Sequence, residues 1–185
     1  MQRISPCSSD SFEEMSTLQV RPEQRGDDIA IARVHDAAFG QTDESRIVEA
    51  IRCAGYPIIS LVAVDRSRIV GHVLFSPVVI EAAQPVESVM GLGPMAVMPE
   101  MQRQGIGSRL LRDGLEECLR SGVRAVVVVG HLEYYPRFGF RPANSYGLRC
   151  EYPVPDEVFM AMELVAGALA CSSGLVRYLP EFGGE

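Results

Sequence analysis

Residues 97–108 read Val-Met-Pro-Glu-Met-Gln-Arg-Gln-Gly-Ile-Gly-Ser, and this stretch decides the fold of the chain. An apolar, strand-like run leads into it, and an amphipathic helical pattern over residues 109–121 follows it. The first-turn N–H groups of such a helix have no intrahelical partners, and the helix dipole adds partial positive charge. Because Gly105 and Gly107 carry no Cβ, a phosphate can approach the backbone closely. The stretch therefore predicts a site for a phosphate-bearing ligand.

Several phosphate-binding motifs are excluded by residues that are missing. A dinucleotide fingerprint needs a third glycine where this chain has Leu110. All 17 basic residues are arginine, so the lysine of a Walker A loop and that of a pyridoxal Schiff base are both absent. What remains is Gln-x-x-Gly-x-Gly after Val-x-Pro. On these residues alone, an unliganded strand–turn–helix corner and a module for another nucleotide stay open.

Composition limits the class of protein. With 185 residues and 47% hydrophobic residues, the chain is long and apolar enough for one domain with a core. A net charge of −7 disfavours nucleic-acid and anionic-membrane partners. No apolar run reaches the roughly 20 residues of a membrane span, and no secretory signal is visible at the N-terminus. We expect a cytoplasmic protein that binds neither nucleic acid nor membrane.

Neither the cysteines nor the histidines indicate a metal site. The five cysteines are odd in number and scattered, which is typical of reduced thiols: Cys7, Cys53, Cys118, Cys150 and Cys171. The three histidines, His35, His72 and His131, are too dispersed for a ligand set. The sequence therefore predicts no metal. We expect His35 to be a packed histidine and His72 a half-buried strand residue.

Hydrophobic periodicity predicts a mixed α/β fold. The predicted strands cover residues 18–21, 58–65, 69–81, 86–97, 125–129 and 159–164. The predicted helices run from Asp27 or Asp28 to Phe39, from Thr42 to Ala54, and over 109–121. Residues 142–156 read as mostly irregular. We expect a flexible tail over 1–17, one domain over 18–164, and an extension over 165–185 that packs on the domain or in a homodimer interface.

Three local features make these boundaries specific. Asp27 or Asp28 is expected to cap the first helix and Thr42 the second. Pro77 interrupts the third predicted strand and marks a bulge or a sheet edge. The third helix is expected to turn its apolar side chains, Leu119 among them, toward the core.

A second landmark follows the predicted buried strand 125–129. Tyr135 is followed by three residues and then by Gly139-Phe140. Together with the glycine motif, this order resembles the GNAT superfamily of acyl-CoA-dependent N-acyltransferases over residues 18–164. The resemblance implies a mixed, largely antiparallel twisted sheet flanked by helices. The cofactor would lie in the cleft between the fourth and fifth predicted strands, 86–97 and 125–129.

The resemblance also implies roles for individual residues. The backbone of Met95, Ala96 and Val97 would pair with the pantetheine arm, and one N–H would polarise the thioester oxygen. The pyrophosphate loop would comprise Gln102, Arg103, Gln104, Gly105, Ile106, Gly107 and Ser108. Arg103 would meet a phosphate, unless it is an ordinary solvated charge. Tyr135 matches the general acid, since a tyrosine with a pKa near 10 can protonate a thiolate whose pKa is near 8.5. Tyr134 is the competing candidate.

The implied activity is transfer of an acetyl group from acetyl-CoA directly to a primary amine of a small molecule or peptide. A non-catalytic acyl-CoA sensor on the same fold is the alternative. The superfamily often carries a glutamate base on the fourth strand, but residues 90–97 contain none. His72, His131, Glu133 or water remain as bases. The acceptor regions would be residues 37–46 and 141–157, where acidic side chains would suit a cationic amine: Asp43, Glu44, Asp156 and Glu157.

Overall fold

The computed structural model describes residues 18–83, 87–170 and 172–183. The predicted tail over 1–17 lies outside the described residues, as do Cys7 and Cys171. The three cysteines within the described part, Cys53, Cys118 and Cys150, are free thiols. None of the helices in these ranges is long and apolar enough to cross a bilayer.

The described ranges contain three α-helices and ten strands. The helices are α1 (Asp28–Phe39), α2 (Asp43–Ala54) and α3 (Ile106–Arg120). The strands are β1 (Gln19–Pro22), β2 (Ile59–Asp65), β3 (Arg68–Pro77), β4 (Val79–Ala82), β5 (Val89–Val97), β6 (Ala125–Val129), β7 (Arg141–Pro142), β8 (Leu148–Cys150), β9 (Phe159–Glu163) and β10 (Gly174–Arg177).

One seven-stranded sheet carries the fold, in the order β1-β2-β3-β5-β6-β9-β7. Its strand pairs are antiparallel except for β5 and β6, which run parallel. These two strands pair only from Val89 to Gly91 on β5 and from Ala125 to Val127 on β6, and then part. The predicted mixed, largely antiparallel sheet is confirmed, and its parallel pair opens where a ligand cleft was expected.

Helices cover both faces of this sheet. On one face α3 packs Leu110 and Leu111 against Phe75 of β3, and all three side chains are fully buried. Gly114 of α3 gives the Phe75 ring its space, because an added Cβ would clash with that ring. On the other face α1 and α2 bury Ile31 and other apolar side chains. Leu119 is 50% exposed, so the expectation that it faces the core is wrong.

The predicted strand over residues 69–81 is two strands. β3 ends at Pro77, and β4 then leaves the main sheet to pair with β10 in a second, three-stranded sheet of order β4-β10-β8. Pro77 has no N–H to continue the ladder, which explains the break. Residues 174–177, which sequence patterns left without structure, form the central strand of this sheet, and β8 lies within the stretch predicted as irregular.

Both predicted helix caps are in place by position but not by hydrogen bond. Asp27 precedes α1, yet its carboxylate accepts bonds from Arg21 Nη1 at 2.7 Å and from the Gln24 N–H at 2.8 Å. Thr42 precedes α2 without a side-chain cap. Asp27 therefore ties the end of β1 to the start of α1 instead of capping the helix.

Candidate active site

A cleft of about 1250 Å³ opens where β5 and β6 part. It is lined by Leu92 to Val97 of β5 and by the loop that begins α3. It is also lined by the end of β6 and by the segment that holds Tyr134 and Tyr135. All of the predicted cofactor-binding residues except Gln104 line it, so the structure brings the two sequence landmarks together in one cleft.

The register of β3 and β5 decides which β5 backbone groups face this cleft. Met98 N–H donates to the Val70 carbonyl at 2.8 Å, and Ala96 stands opposite His72 two residues earlier. In an antiparallel ladder such residues share their hydrogen bonds with the partner strand, while the alternate residues point their N–H and C=O groups away. The N–H groups of Met95 and Val97 therefore face away from β3, toward the cleft, and that of Ala96 faces β3.

The loop before α3 presents backbone N–H groups to the same cleft. The first intrahelical bond runs from Arg109 N–H to the Gly105 carbonyl at 3.0 Å, so Ile106, Gly107 and Ser108 keep N–H groups without helical partners. Gly105 has φ +84°, a left-handed conformation that favours glycine. Gly107 has a different role: a Cβ there would lie 3.2 Å from the Tyr134 hydroxyl oxygen.

Two glutamine side chains brace this loop. Gln102 Nε2 donates to the Val97 carbonyl at 3.0 Å, and Gln104 Nε2 donates to the Glu100 carbonyl at 3.2 Å. Their amide groups thus fix the turn between β5 and α3, which holds the N–H groups in place. Side chains were expected to contribute to the phosphate site only through Arg103, and this bracing was not visible from the motif.

The charge of the cleft is opposite to that of the whole chain. Arg103 and Arg137 line it, and Glu44 is the one carboxylate among its described lining residues. Arg103 is exposed and has φ +61°. The Arg137 guanidinium lies 5.8 Å from the centroid of the Tyr134 ring and 5.9 Å from that of Phe138. A chain with net charge −7 therefore offers an anion a locally basic cleft, and sequence analysis missed Arg137.

Tyr135 begins a short 3-10 turn, Tyr135–Phe138, and is only 7% exposed. Its ring packs edge-on against Phe140 and Tyr134 at centroid distances of 5.6 and 5.1 Å. Gly130 at the end of β6 leaves room for the ring, because a Cβ there would clash with it. Burial raises the pKa of the Tyr135 phenol to about 12, and Tyr134 adds to the rise. The group is therefore a protonated phenol at neutral pH.

Tyr134 also lines the cleft but aims at the α3 end. Its hydroxyl oxygen is buried beside Gly107 and makes no hydrogen bond of normal geometry within the described residues. Burial raises the pKa of Tyr134, while Ser108 and the guanidinium groups of Arg137 and Arg112 partly oppose the rise. The two tyrosines thus have different surroundings. The Tyr134 hydroxyl lies at the predicted phosphate loop, beside Gly107, whereas the Tyr135 ring packs against Phe140.

The three side chains expected to compete for the role of general base are separated by the fold. His72 is fully buried; its Nδ1 shares a 2.8 Å hydrogen bond with His35 Nε2, and its Nε2 lies 2.9 Å from Ser60 Oγ. Neither His72 nor Glu133 is among the lining residues of the cleft. His131 does line the cleft and is exposed. The full burial of His35 agrees with the packing role expected for it, whereas His72, expected to be half-buried on its strand, is fully buried.

The remaining lining residues were not singled out by sequence. They are mostly apolar and come from α1, α2, the segment after β8 and the C-terminal segment: Phe39, Ile47, Tyr152, Val154, Tyr178 and Phe182. The expected acidic acceptor residues contribute only Glu44, since Asp43, Asp156 and Glu157 are not among the lining residues. Within the described ranges, no cluster of three or more metal-ligating side chains exists.

Comparison with known proteins agrees with this geometry. The family described as an acetyltransferase (GNAT) domain matches residues 19–143. The chain is 37% identical to the uncharacterized N-acetyltransferase YjhQ of Escherichia coli K12 over 130 residues, 69% of this chain and 72% of YjhQ. It is 34% identical to the uncharacterized N-acetyltransferase YhbS of the same strain over 146 residues, 78% of this chain and 86% of YhbS.

Solved structures show the same likeness over more of the chain. The crystal structure of E. coli YhbS in complex with CoA superposes with a TM-score of 0.86 at 29% identity, covering 99% of this chain and 97% of YhbS. A GNAT family acetyltransferase from Brucella melitensis, in complex with acetyl-CoA, gives a TM-score of 0.75 at 33% identity, covering 89% and 97%. Since the family match spans more than half of the sequence, this chain belongs to the GNAT family of N-acetyltransferases.

Proposed function

We propose that this chain transfers the acetyl group of acetyl-CoA to a primary amine in a single direct step. The observation that carries the proposal is the cleft between β5 and β6, which combines free backbone N–H groups, a basic rim and a buried phenol. The relatives crystallised with CoA and acetyl-CoA support the choice of cofactor. In this proposal the described chain is one catalytic domain, and the C-terminal segment is part of it.

The cofactor would run along β5 and end at α3. The pantetheine arm would pair with the outward N–H groups of Met95 and Val97, and one of these would polarise the thioester carbonyl. The pyrophosphate would lie on the N–H groups of Ile106, Gly107 and Ser108, where the helix dipole and Arg103 favour negative charge. Ala96 would contribute shape only, since its N–H faces β3.

Tyr135 would act as the general acid. The amine nitrogen forms a bond to the acetyl carbon, the C–S bond breaks, and the leaving thiolate takes the phenolic proton of Tyr135. The buried pKa of about 12 keeps this proton in place at neutral pH. It also makes transfer to a thiolate of pKa near 8.5 less favourable than it would be from an ordinary tyrosine, so we expect the proton to move late, after the C–S bond has lengthened.

The amine must lose a proton before it attacks, since an amine of pKa about 10.4 is only ~0.04% neutral at pH 7. Of the three expected base candidates, His131 alone lies in the cleft. We propose that His131 or ordered water takes this proton. No glutamate lies on β5, which distinguishes this site from the superfamily pattern.

The test is release of free thiol from acetyl-CoA with a panel of primary amines, together with calorimetric binding of CoA. Binding and amine-dependent thiol release would support an acetyltransferase. Binding without release for any amine in the panel would favour the non-catalytic sensor. No binding of CoA at millimolar concentration would contradict both readings.

A further inference from the structure

We propose that the acceptor is a small primary amine carried on an apolar body, aromatic or branched aliphatic, rather than a polyamine or a sugar amine. This inference rests on the proposed function. It is drawn from the half of the cleft that the cofactor elements do not form. That half, here called the acceptor wall, consists of Phe39, Ile47, Tyr152, Val154, Tyr178 and Phe182.

The aromatic rings of the acceptor wall contact one another in a row. The ring centroids of Tyr152 and Tyr178 are 5.6 Å apart, and those of Tyr178 and Phe182 are also 5.6 Å apart. Phe39, at the end of α1, also lines the cleft; it is 45% exposed and stacks on His35. Binding is favoured when an apolar ligand covers large aromatic surfaces that are uncovered inside a cleft.

Both tyrosines of the acceptor wall offer ring carbon to the cleft rather than hydroxyl groups. The hydroxyl oxygens of Tyr152 and Tyr178 are buried and make no hydrogen bond within the described residues. Burial strongly raises the pKa of Tyr178 and also raises that of Tyr152. Since their polar atoms are turned inward, the wall lacks the exposed donors and acceptors that a sugar amine would need for its hydroxyl groups.

The acceptor wall is fixed in position by contacts outside the cleft. The Tyr178 N–H donates to Glu151 Oε1 at 2.5 Å, and Arg177 Nη1 donates to Glu151 Oε2 at 3.4 Å. These bonds join the segment of Tyr152 to the segment of Tyr178. Gly91 of β5 leaves space for the Tyr178 ring, whose Cε1 lies 2.8 Å from the position of an added Cβ. The wall is therefore already formed before a ligand arrives.

Charge selects against polyamines. Glu44 is the single carboxylate among the described lining residues, and Gln41 Nε2 contacts both of its oxygens at 3.2 and 3.3 Å. One carboxylate can attract one ammonium group, and the ring faces can assist by cation–π interaction. A second and third ammonium would meet Arg103 and Arg137 or the apolar wall. The cleft volume of about 1250 Å³ is above the roughly 300–1,000 Å³ that is typical of small-molecule pockets.

The test measures binding and turnover separately. Phenethylamine, spermidine and glucosamine are titrated into the protein–CoA complex by calorimetry, and kcat/KM is measured with acetyl-CoA for each amine. We expect phenethylamine to bind at least about 10-fold more tightly than glucosamine, the scale of burying a few methylene groups. Phe182→Ala should weaken phenethylamine binding about 10-fold and leave CoA affinity unchanged. Leu132→Ala, at an exposed apolar residue outside the cleft lining, is the matched control.

The outcomes separate the two proposals. Preferential binding of phenethylamine that depends on Phe182 supports the acceptor class, whether or not turnover is seen. Equal or tighter binding of spermidine or glucosamine overturns it, even where thiol release shows an acetyltransferase. If Phe182→Ala fails to fold, Ile47→Ala on α2 gives the same test at another residue of the wall. Unchanged phenethylamine affinity in a folded variant also overturns the proposal.

Discussion

The two halves of the cleft are built by different means. The half proposed to bind the cofactor, here called the cofactor half, uses backbone groups from one continuous stretch, from Met95 on β5 to Ser108 in the first turn of α3. The other half, which consists of the acceptor wall and is called the acceptor half below, uses side chains from four separate segments, among them Phe39 on α1 and Phe182 near the C-terminus. Backbone groups bind the same ligand whatever side chains surround them, whereas a wall of side chains changes with each substitution. In our proposal, one cleft thus binds a donor through backbone groups and selects an acceptor through side chains.

Tyr135→Phe should prevent transfer of the acetyl group between the two halves, and we expect it to have the largest effect of the variants. The ring keeps its packing against Phe140 and Gly130, and only the ionisable hydroxyl is lost. We expect kcat to fall by about 10²–10⁴-fold, as is typical when a general acid is removed. Steady-state kinetics and CoA titration should show the fall in kcat at unchanged CoA affinity.

Tyr134→Phe is the matched control, one residue away. Its hydroxyl lies beside Gly107, so its loss should affect CoA affinity more than kcat. If Tyr134→Phe loses turnover while Tyr135→Phe retains it, the roles of the two tyrosines are exchanged. If both variants keep full turnover, the phenol mechanism fails.

The cofactor half could be predicted from the sequence and the acceptor half could not, because the first comes from one continuous stretch and the second from separate segments. The glycine loop, its helix and the tyrosine segment are local signals, because each motif lies within about ten consecutive residues. The acceptor wall has no local signal: Tyr178 reaches Tyr152 only through the pairing of β10 with β4 and β8, and a four-residue strand carries too little periodicity to be detected. The packing roles of Gly91 and Gly130 could not be predicted either. Gly91 makes room for the ring of Tyr178, which is distant in the sequence, and Gly130 makes room for the ring of Tyr135, which folds back on it.

Protonation of a buried histidine on helix α1 should weaken the fold at acid pH. His35 is buried between α1 and β3, and its pKa is lowered to about 4 by burial, with Asp36 opposing and Arg52 adding to the shift. A folded-state pKa below the unfolded value of 6.5 means that the unfolded chain binds more protons. Stability is therefore full above pH 6.5 and is lost as the pH falls toward 4, by about 3 kcal/mol from His35 alone.

Urea denaturation at pH 7 and at pH 4.5 measures this loss. The pKa of His72 is lowered in the same direction by burial and by His35, so it adds to the effect. His35→Gln removes one ionisable ring and should flatten the dependence. A wild-type stability that stays constant over this range, or NMR spectra that show a protonated His35 ring at pH 6, would contradict the expectation.

Gly107→Glu should disable the cofactor half alone. The new side chain would start 3.2 Å from the Tyr134 hydroxyl and would place a carboxylate where the pyrophosphate is expected. For the wild type, CoA at 100 times its Kd should stabilise the fold by ~2.7 kcal/mol, which for a chain of this size raises Tm by roughly 5–10 °C. We expect the variant to lose this shift in differential scanning fluorimetry and to keep its Tm without ligand within a few degrees.

Leu119→Glu adds the same charge at the exposed far end of α3 and serves as the control. It should keep the full shift with CoA. An unaltered shift in a folded Gly107→Glu variant would show that the phosphate does not bind at this loop.

The smallest expected effect concerns the alkaline limb of the pH–rate profile, where the acceptor amine and the Tyr135 phenol lose their protons over different pH ranges. The acceptor amine must lose a proton before it attacks, so activity should rise as the pH is raised from neutral. The general acid must stay protonated, and burial of Tyr135 raises its pKa to about 12, so no descending limb should appear up to pH 10.

Loss of the fold limits the pH range of this experiment. Tyr135 and Cys118 have pKa values raised to about 12 in the folded chain, above their unfolded values of 10 and 9. Folding therefore loses stability once the pH exceeds those unfolded values. Circular dichroism at each pH separates loss of structure from loss of activity. A descending limb with a midpoint near 9 in protein that remains folded would mean that the acid is a less buried group than Tyr135, and Tyr135→Phe should then leave that limb in place.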